Sequence, residues 1–149
     1  MKDSLLSPNG TNMPIIRIAP VCNGKIYVVP RPTSNEEHIC FDLPIEERVE
    51  HVSTNSDKVV RKLKEKYQLH IQSSTSPRFS VKHRSASSDN GTVYLYILPL
   101  QEEHEISFRE GKFVTSEDIA AHPEMYGPNL QMESELLGMA AELWNDYYL

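Results

Sequence analysis

Cysteine is nearly absent from this chain: Cys22 and Cys40 are the only two, and both lie in apolar surroundings. That is too little for the disulfide framework of a small secreted domain, so the expectation is reduced thiols in a cytoplasmic protein; a single bridge in a secreted chain stays compatible with the same count. Long apolar runs are missing too. Nothing approaches the roughly 18 continuous apolar residues of a membrane span, and residues 1–13 hold no apolar h-region, so they read as a loose tail and not as a signal peptide. Nor is positive charge in excess. With a net charge of -6 and no aromatic-interleaved basic stripe outside one helix, nucleic acid is not expected as a partner. The histidines His38, His51, His70, His83, His104 and His122 lack the close spacing of a zinc site. Ser80 and His83, on one strand, point to opposite faces and do not form a nucleophile–base pair.

What is present fits one domain over residues 14–149, large enough to bury a core. Residues 14–22 read as a strand, Asn23-Gly24 as a tight turn, and residues 25–31 as the hairpin partner. Residues 71–72 and 78–84 read as strands. After the turn-prone Asp89-Asn90-Gly91, residues 92–100 form the most β-prone run, a central strand whose pairing Pro99 ends. Residues 129–144 form an amphipathic helix whose Leu130, Leu136, Leu137, Met139, Ala140, Leu143 and Trp144 cover the sheet.

The segment from Val59 to Leu69 is the most informative. Val59, Val60, Leu63 and Tyr67 fall on one helical stripe, and the side-chain oxygens of Ser53 to Asp57 can cap a helix starting near residue 56. Its other face carries Lys58, Arg61, Lys62, Lys64 and Lys66 against one acid, Glu65.

This stretch resembles the Nudix box of the Nudix hydrolases, a helix with the pattern Arg-Glu-apolar-x-Glu-Glu-x-Gly-apolar. Arg61, Leu63, Glu65 and Leu69 match it, whereas Lys62, Lys66 and Gln68 replace two acids and the glycine. Pro44 sits roughly where the family has a Pro before its Gly-Gly loop. Counting back from Arg61, Glu47 takes the place of the first glycine and Ser53 that of the first glutamate. The order of elements over residues 14–149 is similar to the family's nearly throughout, including a hairpin that ends in Arg31 before the box and, at residues 115–119, a segment like the family's in which a Ser or Thr caps a brief helix. The resemblance implies an α/β fold: a Nudix-like α/β/α sandwich with a mixed β-sheet between helices.

It also implies a chemistry and its loss. The family's helix glutamates hold Mg²⁺ ions that neutralise a diphosphate and activate water, and such hard cations need several oxygen ligands at close range. With Lys at 62 and 66, no metal is expected at the helix, or Glu65 alone as a ligand. Three readings follow. In the first, Mg²⁺-dependent pyrophosphohydrolase activity is gone and the fold binds a nucleotide or other phosphate ligand, or a protein partner; Arg61, Lys62 and Lys66, with Arg31 and Arg84 nearby and Tyr96 stacking on a base, take over the metal's electrostatic role. In the second, a divergent hydrolase uses Mg²⁺ with Glu50, Glu65, and Glu133 or Glu135. In the third, the chain is a structural or regulatory homodimer joined through the sheet edge and last helix. The bland alternative for the lysines is a solvated helix face, and for Glu133 and Glu135 a favourable place near the helix dipole's positive end.

Overall fold

Asn23 and Gly24 both take positive φ, 51° and 78°, as a two-residue type I′ turn requires. They join β1 (Ile15–Cys22) to β2 (Lys25–Pro32) as the sequence predicts. The computed structural model of the protein describes residues 14–32, 39–49, 61–62, 64–67, 70–72, 75, 77–86, 91–107 and 109–148, the last five by their backbone only. The tail 1–13, Glu50, Lys58 and the helix onset near residue 56 lie outside them.

Five further strands follow: β3 (Ile39–Asp42), β4 (Ile45–Arg48), β5 (Arg78–Arg84), β6 (Thr92–Pro99) and β7 (Lys112–Val114). They form a mixed seven-stranded sheet of order β3-β2-β1-β6-β5, with β4 pairing β1 and β7 pairing β2. Only β1 and β6 run parallel, from Ile15↔Val93 to Val21↔Pro99, where the ladder ends at Pro99 as its missing N–H requires. Both hairpin strands fork. The start of β1 pairs β4 and its end pairs β2; the far half of β2 pairs β3 and its near half β7. The strand expected at 71–72 reduces to the isolated bridge Ile71↔Ile106.

Alternation sorts the core into two layers. Ile16, Ile18, Tyr96 and Leu98 belong to the first face, against which Tyr67 and Ile71 pack. Arg61, Lys62 and residues 64–66 are helical and lead into Tyr67 on that side. Ala19, Val21, Leu95 and Ile97 belong to the second face. It is covered by α1 (Ser116–Ala121) and α2 (Pro128–Tyr148). Thr115 caps α1: its hydroxyl accepts from the Asp118 N–H while the Asp118 carboxylate accepts from the Thr115 N–H, a reciprocal capping box. The mixed sheet between helices is therefore present, with α2 longer than the expected 129–144. α2 departs from expectation in another way. Leu130 and Leu137 are buried, but Leu136, Met139 and Leu143, which the sequence assigns to the sheet side, are exposed. No helix among the described residues is long and apolar enough to cross a membrane.

Candidate functional site

β1 is buried along its whole length, as a strand flanked on both edges must be, and that puts one charged residue, Arg17, at 0% exposure in mid-sheet. A buried guanidinium persists only with partners. Arg17 stands across from Glu46 on one neighbour and Leu95 on the other, so it points to the second face, toward α2. Its Nε donates to both Glu133 oxygens at 3.2 and 3.0 Å, and its Nη2 donates to Glu133 Oε1 and to Asp42 Oδ1, each at 2.8 Å. Its Nη1 donates to Glu46 Oε1 at 2.5 Å. Burial by itself lowers the guanidinium's pKa, but the Asp42 and Glu133 carboxylates outweigh it and hold the pKa above its usual value. Gly127 completes the arrangement, since a Cβ there would stand 2.4 Å from Asp42 Oδ2. The chain from α1 to α2 can approach Asp42 only because that position has no side chain.

His83 joins the cluster from β5. Its Nε2 lies 2.7 Å from Glu133 Oε2 and its Nδ1 2.8 Å from the Arg84 carbonyl oxygen. Both neighbours are acceptors, so only the imidazolium satisfies both ring nitrogens. The hydrogen bond to Glu133 accordingly raises the pKa of His83 against the opposing effect of burial. A group whose pKa is raised on folding stabilises the fold fully below its unfolded value of about 6.5, and that contribution disappears as pH climbs through the higher folded value. Thermal melts of the wild type against His83→Gln are expected to converge above that range and to separate, with the wild type more stable, toward pH 6.

The first face carries the helix that resembles the Nudix box. Lys66, where the family pattern has an acid, extends its ammonium to within 2.5 Å of Glu47 Oε1, and this hydrogen bond raises the Lys66 pKa. Lys64 turns instead to the Thr75 carbonyl oxygen. Arg61, Lys62 and Glu65 are exposed, and among the described residues Lys62 makes no ion pair. One sheet row continues outward from Glu47: Glu47 stands across from Ile16, Ile16 from Tyr94, and Tyr94 from Lys82. Arg84 lies two residues farther along β5 on the same face and, like Lys82, is exposed. Three strand spacings separate Glu47 from Lys82, roughly 14 Å. Phe79, 53% exposed, stands beside this row with its ring 6.5 Å from that of Tyr94.

Other predicted site residues are placed elsewhere. Arg31 donates from Nε and Nη2 to the Leu43 carbonyl oxygen at 3.0 and 2.9 Å, bracing the link between β3 and β4. Tyr96 is a core residue, 1% exposed, met edge-on by Phe79. Glu133 is buried against Arg17 on the second face, whereas Glu65 belongs to the helix on the first, so the sheet stands between them. Glu135 is exposed on α2. Arg17, Asp42, Glu46 and Lys82 were not among the residues singled out from sequence; Glu47 entered only as standing in the place of the box's first glycine, and His83 only as a zinc ligand and base set aside. One signal did exist: Arg17 is the only charged residue in the apolar run 14–22, and a charge inside a buried strand demands a network.

No protein-family model matches the sequence, and no curated protein does. Solved structures do match. The C. elegans Ap4A hydrolase aligns with a TM-score of 0.54 and 13% identity over 89% of this chain and 98% of its own. A Nudix-family hydrolase from Clostridium perfringens gives 0.54 and 10% over 87% and 97%, and the Nudix hydrolase from Nitrosomonas europaea 0.51 and 13% over 88% and 90%. The chain has a Nudix-like fold.

Proposed function

We propose that this Nudix-like fold binds a nucleoside diphosphate compound without metal and does not cleave it. The observation that carries the reading is the pairing of Lys66 with Glu47 at 2.5 Å. At a helix position where the family pattern supplies a metal-binding acid, a lysine ammonium already pairs with the neighbouring carboxylate. A divalent ion arriving there meets an ammonium instead of an oxygen ligand.

Phosphate then falls to the side chains. Lys66 through Glu47 and Lys82 directly mark the two ends of the row through Ile16 and Tyr94; Lys62 lies one turn before Lys66 on the helix, and Arg84 two residues beyond Lys82 on the same face of the sheet. Ammonium groups hold phosphate as point charges and the Arg fork holds it in two-point contact. The roughly 14 Å from Glu47, the partner of Lys66, to Lys82 suits an extended diphosphate-bridged compound better than a single phosphate, and Phe79 offers an exposed ring for a base to stack on. The name of the C. elegans neighbour makes Ap4A a natural probe beside ADP.

Isothermal calorimetry with ADP and Ap4A in EDTA is expected to show binding by the wild type. Lys62→Glu and Lys82→Glu should each weaken it roughly tenfold or more, as the loss of a charge-assisted contact together with a new repulsion implies. Glu65→Gln should leave it unchanged. Binding that needs Mg²⁺ and disappears in Glu65→Gln contradicts the reading and favours a working hydrolase.

A further inference from the structure

α2 carries two apolar stripes. Leu130, Leu137 and Ala141 face the sheet and are buried, whereas Met132, Leu136, Met139 and Leu143 run along the outer side and remain 51%, 39%, 56% and 50% exposed. Their spacing of four, three and four residues is that of a coiled-coil seam, with Leu136 and Leu143 at a and Met132 and Met139 at d. Single exposed apolar residues need no explanation, but a continuous seam of this kind marks a binding surface. At Met132 the seam opens into a groove of about 440 Å³ between α1 and α2, whose lining includes Ile119, Ala120 and Pro123 with Glu117 and Glu135. The two helices that wall it are in close contact. A Cβ on Gly138 would stand 2.7 Å from Ser116 Oγ.

Charge says what fits there. After Lys112 the chain contains no Lys or Arg, while Glu117, Asp118, Glu124, Glu135 and Glu142 are exposed acids of this region. In the seam's register Glu135 and Glu142 occupy g positions, the flanks that select a partner by charge. An antiparallel second copy would set these glutamates against their own counterparts, and the region after Lys112 has no Lys or Arg to offset them. A partner with basic flanks meets opposite charge at Glu135 and Glu142, along the g side of the seam.

We propose that the outer face of α2, with the groove at Met132, docks an amphipathic helix of another protein whose apolar stripe is bordered by Lys and Arg. The contact follows the helix-in-groove mode, with Leu or Met anchors of the incoming helix between Met132 and Leu143 and its largest anchor in the groove between α1 and α2. The surface lies on the side of the sheet opposite Lys62 and Lys82, so it is independent of phosphate binding.

The test uses two labelled synthetic helical peptides, both with Leu at a and d, one with Lys and the other with Glu at e and g. Fluorescence anisotropy should show binding of the Lys-flanked peptide, weakening as salt rises, and none of the Glu-flanked one. The pair Leu136→Lys with Met139→Lys should weaken binding roughly tenfold or more. Glu135→Lys with Glu142→Lys should invert the preference, and all four surface changes should leave the melting temperature near that of the wild type. The proposal is overturned if neither peptide binds, if both bind alike, if the glutamate reversals leave the preference intact, or if sedimentation shows a dimer that Leu136→Lys dissociates.

Discussion

Replacing Arg17 by Met is expected to remove about 3–5 kcal/mol of stability, the usual cost of taking one partner from a buried charge pair. Met fills a comparable volume, so the loss is electrostatic. Glu133, with a side chain 1% exposed, and Asp42, at 17%, then face each other across the former guanidinium, with only the His83 imidazolium left beside Glu133. Water can hydrate Glu46, whose side chain is 37% exposed, but it reaches Glu133 far less. Against the 5–15 kcal/mol typical of a domain, the change is large enough to move a urea midpoint clearly. Arg17→Lys should recover little, because one ammonium cannot reproduce a fork that contacts three carboxylates on β3, β4 and α2. The double change Arg17→Met with Glu133→Leu should be less destabilising than Arg17→Met alone, since it withdraws both deeply buried charges. A loss below about 1 kcal/mol for Arg17→Met, the level of a solvated surface pair, would show that the cluster is open to water.

The second large effect is expected on the other face. Lys62→Glu together with Lys66→Glu shifts the local charge by four units and puts carboxylates at both positions where the Nudix pattern has acids. The new side chain at 66 then stands near Glu47, and Glu65 lies beside it on the same helix. Hard divalent cations need several such oxygens at close range. The double variant should therefore lose metal-free ADP binding and acquire Mg²⁺ binding, detectable by calorimetry with the metal alone. Without metal it should melt lower than the wild type, because like charges replace the Lys66–Glu47 pair; millimolar Mg²⁺ should reverse that loss by binding the native state. Failure to gain any metal response would mean that the helix and β4 do not converge as the Lys66–Glu47 contact describes.

The parts of the fold that were legible in sequence are those set by neighbouring residues. Asn23-Gly24 demands positive φ at two successive positions, which leaves a hairpin as the simple solution. Thr115 and Asp118 are three apart, as a capping box requires. The short apolar, β-branched and aromatic runs 14–22 and 92–100 announce strands. The Arg17 cluster was not legible because its partners are remote: Asp42 is 25 residues away, Glu46 29 and Glu133 116, and His83 reaches Glu133 across 50. Only the sheet register brings them together. The direction of α2 was ambiguous for a different reason. Its apolar residues make two stripes, and periodicity measures the existence of a stripe without saying which one meets the sheet. Tyr96 shows the same limit: Tyr94 and Tyr96 share a face of β6, yet Tyr96 pairs with Ile18 deep in the first layer while Tyr94 lies nearer the edge of the core. On the box helix the departures Lys62 and Lys66 were visible at once, but the acid that Lys66 meets, Glu47, comes from a strand whose position only the fold supplies.

The most direct measurement is a Mg²⁺ titration of the wild-type protein by calorimetry, followed by ADP and Ap4A in the same cell with the nucleotides separated afterwards. Lysine and arginine side chains that hold diphosphate by themselves predict no heat of metal binding at the helix, equal nucleotide affinity with Mg²⁺ or EDTA, and nucleotides recovered intact. Mg²⁺ binding abolished by Glu65→Gln, or cleaved nucleotide in the recovered sample, would contradict it.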